Sequence, residues 1–377
     1  MRPARASEEQ RERVCQDFVR LCEIESPSRR ERAVADTVAA ELRALGLHVE
    51  EDGAGADTGS DSGNLLARVP GPEGVRTVLL CAHLDTVPLA GPVEVVREDG
   101  VFTNRHDAIL GADNKAAIAT ILGAVRRLLG EGPPVGLELL FTVCEETGLA
   151  GAKAFDRARL RAEFGFVFDH ASPIGELIVA APTYYRVEAH VRGQAAHAGI
   201  RPETGRSAIQ AAAAAIARLP LGRLDDETTA NAGRIEGGTA RNVVPEHCRV
   251  ELEARSLDDD RASAAVTQIV DTFTDTAGEH ECDVDVVIEE LCRAYRLART
   301  ALPVAVAARA LEGLDVEPRY ITTGGGSDAN MFIAGGLPVL NVANGTERNH
   351  EPDERVTVEA LHTMLDVTLG LVAEAAA

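Results

Sequence analysis

Val78-Leu79-Leu80-Cys81-Ala82-His83-Leu84-Asp85-Thr86 carries the clearest structural signal in this chain. The apolar run from Val78 to Ala82, with polar residues only at its end, reads as a strand buried on both faces, the pattern of a parallel sheet. His83 and Asp85 stand at i and i+2, so in extended backbone their side chains project to the same side. The pattern recurs where Leu137-Glu138-Leu139-Leu140-Phe141-Thr142-Val143-Cys144 leads into Glu145-Glu146, and where Phe164-Gly165-Phe166-Val167-Phe168 leads into Asp169. Ligands of open α/β sheets bind at the carboxyl ends of strands. Three strand ends would therefore deliver acids and an imidazole to one rim. With Asp113 and His350, these groups are the raw material of a site for two metal ions, in which one of His83 and Asp85 ligates and the other orients it.

Outward from this stretch the organisation changes twice. Helical periodicity is expected over about 8–24 and 29–46, the second run stopping at Gly46. Strands are expected at Val49, 65–69, 78–82 and 137–143, with a helix over 115–129, an α/β alternation. From residue 183 the order becomes strand 185–191, helix 205–218, strands near 232–235 and 248–254, helix 259–276 and strand 284–288. This β-α-β-β-α-β order is ferredoxin-like. After 293 the α/β pattern resumes with a helix at 301–311, strands at 319–322 and 338–342, and a closing helix. The fold class is thus α/β, with helices on both faces of a mixed, largely parallel sheet (1–182 and 293–377), plus an inserted α+β domain (183–292).

At 377 residues and 45% hydrophobic, the chain exceeds the size at which single cores usually divide, which agrees with two domains. Aromatics are 3% and Trp is absent, so the core must be aliphatic and Ala-rich. A formal charge of −22 repels nucleic acid and anionic membranes and excludes both as partners. The seven cysteines contain no CxxC pair and several lie in apolar runs, as buried thiols in a reducing compartment do. The opening MRPARASEEQRERV is polar, without a signal-type apolar core, and no apolar run reaches membrane-spanning length. A cytoplasmic location is expected.

Six motifs then appear in order: AHLDTVP (82–88), ILGADNKAA (109–117), VCEETGLAGAKAFD (143–156), GQAAHAG (193–199), GGTARNVVP (237–245), and GGGSDANMF (324–332) with GLPVLNVANGTERNHEPDE (336–354). Together they resemble the M20 metallopeptidases, most closely the peptidase T-like tripeptidase branch, over nearly the whole chain. The resemblance implies a zinc-peptidase catalytic domain and a lid that also forms a homodimer. It implies two Zn²⁺ ions, with Co²⁺ or Mn²⁺ as substitutes: His83 and Asp169 on one, Glu146 and His350 on the other, Asp113 bridging. Asp85 would orient His83, and Glu145 would be the general base. His197 matches the family imidazole that reaches into the active site, often from the partner subunit. The peptide bond after Asp113 is expected to be cis. Asn114, where relatives carry Asp, and Ala117, where they often carry Gly, are departures that remove no ligand.

The chemistry agrees with these roles, since two divalent ions about 3.5–4 Å apart polarise a scissile carbonyl and activate a water. Glu145 and Glu146 cannot both face the metals from a regular strand, so the strand must break there. Asp113 also reads as a helix cap. The loop Thr323-Gly324-Gly325-Gly326-Ser327-Asp328 lacks the Lys of a P-loop and the second Gly of a nucleophile elbow. Its backbone N–H groups at Gly325, Gly326 and Ser327, with Arg241 and Asn242, are candidates to hold substrate. The reading is a peptidase for short peptides, most simply an aminopeptidase. An N-acyl amino acid deacylase or carboxypeptidase-like amidohydrolase shares the motifs, and an inert metal-binding scaffold would have been marked by loss of Glu145.

Overall fold

Gly136–Thr142 is buried at every position in the computed structural model, which describes residues 5–377. Residues 1–4, the start of the polar opening segment, lie outside the described residues. The one charge in that strand, Glu138, accepts from the Arg68 guanidinium at 2.9 Å and from the N–H groups of Arg161 and Ala162, which is how a carboxylate persists inside a sheet. Thr77–His83 lies between Gly136–Thr142 and Phe164–Val167, parallel to both, and Val339–Val342 continues the parallel run beyond Phe164–Val167. Among the described residues nine strands join this sheet, parallel at the centre and antiparallel where Leu65–Val69 meets Gly136–Thr142 and where Glu176–Ala181 meets Val339–Val342.

Helices cover the sheet. Glu8–Cys22, Ala112–Glu131, Leu302–Gly313 and Val358–Ala375 pack on one another, and Ala112–Glu131 lies on Thr77–His83. The shorter Ala54–Thr58, Ala150–Ala154 and Asp328–Ala334 form a second group, the last against Phe164–Val167 and Val339–Val342. The helix expected from 29 begins at Arg32, because Arg29 takes a left-handed turn (φ 76°) and the Arg32 N–H is received by Asp61. The sequence reading missed a small sheet formed by Val95–Glu98, Val101–Asn104, Thr346–Glu347 and Arg355–Thr357. Its signal was present: Asp99 (φ 48°) and Gly100 (φ 78°) form a two-residue hairpin turn, for which Asp-Gly is a favoured pair.

Contacts divide the chain into two units. The first runs to Val179 and takes in Arg296–Thr322 and Ser327–Ala377; the second comprises Ala180–Tyr295 with Thr323–Gly326. In the second unit the antiparallel order is Thr228–Gly237, His247–Ser256, Thr183–Arg192, Asp283–Cys292, the arrangement of a ferredoxin-like fold, with Gly222–Arg223 added at the edge. Alternation does the packing. Val187, Ala189 and Val191 join Cys248, Val250, Leu252 and Ala254 under the helices Ala208–Arg218 and Asp259–Glu279. The first of these helices starts at Ala208 rather than 205, because the Ser207 hydroxyl caps it by accepting from the Gln210 N–H. On the open face of the sheet Arg249 pairs with Glu188 through two bonds of 2.5 and 2.6 Å.

Leu80 is fully buried in the central strand. Leu80→Ala is expected to cost about 2–5 kcal/mol of unfolding free energy, from lost transfer energy plus a cavity, measured by denaturant titration. A loss below about 1 kcal/mol would mean the strand is less central than described.

Candidate metal centre

The three parallel strands end at one level, with His83 in register with Thr142 and Cys81 with Val167. Past those ends the chain leaves regular structure and the polar groups begin. After Thr142 the strand breaks, Cys144 adopting φ 53°, so Glu145 and Glu146 are released from strand alternation. Four successive N–H groups of this turn are received by side chains: Val143 by Asn64 Oδ1 (3.0 Å), Cys144 by Glu31 Oε1 (3.0 Å), Glu145 by Asp85 Oδ1 (2.9 Å) and Glu146 by Asp85 Oδ2 (3.1 Å). Asp113 comes from the start of Ala112–Glu131, where Asp113 and Asn114 depart from helical backbone and their peptide bond is cis.

Asp113 is central to the cluster. His83 Nε2 lies 3.2 Å from Asp113 Oδ1 and 3.6 Å from Asp169 Oδ1. On the other side, His350 Nε2 lies 3.4 Å from Asp113 Oδ2 and 2.8 Å from Glu146 Oε1. Two triads, His83/Asp113/Asp169 and Asp113/Glu146/His350, thus share one carboxylate, each with ligand atoms within 4.8 Å of one another. Glu145 joins His83 and Glu146 in a third such group. Mixed imidazole and carboxylate donors, one carboxylate facing both ways, fit a pair of divalent cations of the zinc, cobalt or manganese type.

Electrostatics point the same way. Burial opposes charge on Asp113, yet hydrogen bonds from His350 and His83 hold its carboxyl well below the usual range. Burial likewise opposes charge on His83, but its bonds to Asp113, Asp169 and Asp85 raise its pKa well above the ordinary value. Hydrogen bonds to Asp113 and Glu146 lift His350 to about 10. Burial, then the charge of Asp169, pushes Glu145 well up, and burial also raises Glu146. A buried crowd of carboxylates is stabilised by positive charge placed among them.

The supports around the cluster were only partly legible. The His83 ring Nδ1–H donates to the backbone carbonyl of Asp85 at 3.0 Å, and the Asp85 carboxylate is farther, at 3.5 Å. That carboxylate is occupied mainly by the Glu145 and Glu146 N–H groups and the Ser28 hydroxyl (2.6 Å). Asp169 is held by Asn341, which accepts from its N–H and donates to its carbonyl. The sequence reading did not single out Glu31, Asn64, Asn341, Asp328 or Glu354. Asp328 is buried, accepts from the Thr142 hydroxyl at 2.5 Å, and is pushed up to about 7 by burial. Its position one residue after Ser327 in the glycine loop was the available signal.

The remaining candidates are divided between the two units. In the second unit His197 and Arg241-Asn242 stand on neighbouring segments, joined by Ala198 N–H to Asn242 O (3.0 Å) and Val244 N–H to Ala196 O (2.9 Å), with all three side chains exposed. The Gly325 N–H donates to Thr323 Oγ1 at 3.1 Å, and Gly326 belongs with it to the second unit. Ser327 is buried in the first unit, where its hydroxyl accepts from Asn341 Nδ2 and caps Asp328–Ala334.

Comparison with known proteins places this geometry. The peptidase dimerisation domain of the M20 type matches residues 183–281, and peptidase family M28 matches residues 64–214. The crystal structure of aminopeptidase PepT from Bacillus cereus ATCC 10987 is 38% identical, with a TM-score of 0.86 over 97% of this chain and 99% of that one. The chain belongs to the M20 peptidases. A Staphylococcus aureus Mu50 tripeptidase structure is also similar (31% identity, TM-score 0.91, 97% and 98% covered), which sets the chain in the peptidase T-like branch of M20. YqjE of Bacillus subtilis (strain 168), an uncharacterized protein, is 36% identical over 97% of this chain and 98% of its own length.

Gly151 shows how tightly the glutamate turn of this M20 chain is packed. A Cβ there would overlap the Val143 carbonyl and come within 2.7 Å of Asn64 Oδ1. Gly151→Ala is expected to cost about 1–3 kcal/mol of stability through overpacking, read as a lowered denaturation midpoint. An unchanged midpoint would contradict the packing described.

Proposed function

We propose that the protein is a two-metal aminopeptidase that cleaves short peptides, tripeptides foremost. The observation that carries the reading is the Asp113 carboxylate, whose two oxygens face two separate imidazole-bearing triads. In this reading His83 and Asp169 hold one Zn²⁺, Glu146 and His350 the other, and Asp113 both, with Co²⁺ or Mn²⁺ able to replace zinc. When bound, such ions polarise the scissile carbonyl and lower the pKa of the attacking water.

The chain's own residues supply the rest. Glu145, buried beside the cluster, accepts the water's proton on its carboxylate and passes it to the leaving amine nitrogen. Asp85 holds Glu145 and Glu146 in place through their N–H groups. His83 is fixed with Nε2 toward Asp113 because its Nδ1–H is spent on the Asp85 carbonyl. His197 stabilises the developing oxyanion, and Arg241, Asn242 and the glycine loop at Gly325, Gly326 and Ser327 bind the peptide.

The proposed organisation is a catalytic domain of residues 1–182 and 293–377 and a lid of 183–292 through which two copies pair. The match of 183–281 to a peptidase dimerisation domain supports the pairing. No described helix is long and apolar enough to cross a membrane. The burial of all seven cysteines as thiols supports a reducing, cytoplasmic setting. The B. cereus and S. aureus relatives support an aminopeptidase over a deacylase.

The test is hydrolysis of a tripeptide panel by zinc-loaded protein, each peptide offered free, N-acetylated and C-amidated. Cleavage is expected only with a free amine, is lost to a chelator, and falls about 10²–10⁴-fold in kcat in Glu145→Gln with metal content unchanged. Preference for the acetylated forms would instead assign a deacylase.

A further inference from the structure

Glu354 lies four residues beyond His350 and is 1% exposed. Its carboxylate is spent on backbone. Oε2 accepts from the N–H groups of Leu110 (2.8 Å) and Gly111 (2.7 Å), and Oε1 accepts from the N–H of Asp113 (2.9 Å). These donors stand at the irregular start of Ala112–Glu131, where Gly111 is left-handed (φ 76°) and Asp113 itself is not helical. N–H groups at a helix start have no partner within the helix, and three of them converge here on one side chain from the far end of the chain.

The carboxylate has a firm base. Immediately after Glu354, Arg355–Thr357 pairs with Val101–Asn104, Val356 opposite Phe102, and Val101–Asn104 leads into the segment that ends at Asp113. The segment before Glu354 carries His350, whose Nε2 faces Asp113 Oδ2 at 3.4 Å. Glu354 thus joins the backbone of the shared carboxylate to the loop that carries the second imidazole.

We infer that Glu354 is a positioning residue for the metal pair: by gripping the Leu110–Asp113 backbone it aims the Asp113 carboxylate at both triads and sets its distance from His350. A carboxylate suits the task because three N–H donors need three accepting lone pairs. Glutamine offers one oxygen, and its amide would set N–H against N–H at one or more of these contacts. The inference rests on the two-metal reading above, and its test separates the two.

The test compares wild type with Glu354→Gln and Glu354→Asp. Each is stripped of metal, its thermal unfolding recorded, and then titrated with zinc against a competing chelator before steady-state kinetics. The expected result is a metal-free variant that still unfolds cooperatively, with a midpoint lowered modestly by its mismatched N–H contacts, zinc affinity weakened by about 10–100-fold in Glu354→Gln, and kcat lowered with KM little changed. Excess zinc should restore part of the rate. Wild-type affinity and kcat in Glu354→Gln would overturn the inference. Should Glu354→Gln fail to fold without metal, Glu354→Asp decides: weakened zinc binding in a folded Asp variant supports positioning, and wild-type zinc binding overturns it. Wild-type protein that takes up fewer than two ions would overturn the two-metal reading itself, and this inference with it.

Discussion

The sharing of the Asp113 carboxylate between two imidazole-bearing triads is the constraint to which the rest of the first unit answers. It requires a carboxylate with both oxygens unhindered, one aimed at a strand end and the other at a loop from the chain's last quarter. No single element can present that set. A parallel sheet supplies His83, the glutamate turn and Asp169 at one level because parallel strands end on the same side. A helix start supplies Asp113, and a small separate sheet brings in the segment carrying His350. Burial of this many acidic groups is costly unless they are paired or coordinate cations, and the raised pKa of both imidazoles and of Glu145 and Glu146 reflects that tension.

Around this centre the chain uses polar side chains as anchors for backbone. Asn64, Glu31 and Asp85 take the four N–H groups from Val143 to Glu146, Asn341 takes the Asp169 N–H, and Glu354 takes three at the start of the Asp113 helix. Each anchor comes from a different part of the chain. Loops held this way keep their side chains aimed without the support of a regular strand or helix, which lets the clustered imidazole and carboxylate groups sit where the sheet ends. A buried N–H left without an acceptor costs about 1–3 kcal/mol, so these anchors also stabilise the fold. Their loss would be felt first in geometry.

Much of the catalytic fold was legible because its strands are continuous apolar runs and its acids occur only at their ends; Val78–His83 and Leu137–Glu146 announce both strand and rim. The ferredoxin-like unit was legible from alternation, since Val187, Ala189 and Val191 are interleaved with charged neighbours. The small sheet was not, because Val95–Glu98 and Val101–Asn104 are short and half-exposed, with only the Asp-Gly turn between them as a sign. The anchoring residues were hidden for another reason. Glu31, Asn64 and Glu354 act on backbone amides remote in sequence, and side-chain spacing alone carries no trace of which distant N–H groups need acceptors. Asp85 was legible as a partner of His83 by spacing. Its larger task, holding the Glu145-Glu146 turn, depends on a contact 60 residues away.

The most direct test of the shared carboxylate is anomalous diffraction from crystals of the zinc-loaded protein. The account predicts two peaks about 3.5–4 Å apart with Asp113 ligating both, one flanked by His83 and Asp169 and the other by Glu146 and His350. A single peak, or two peaks that do not share Asp113, would contradict it.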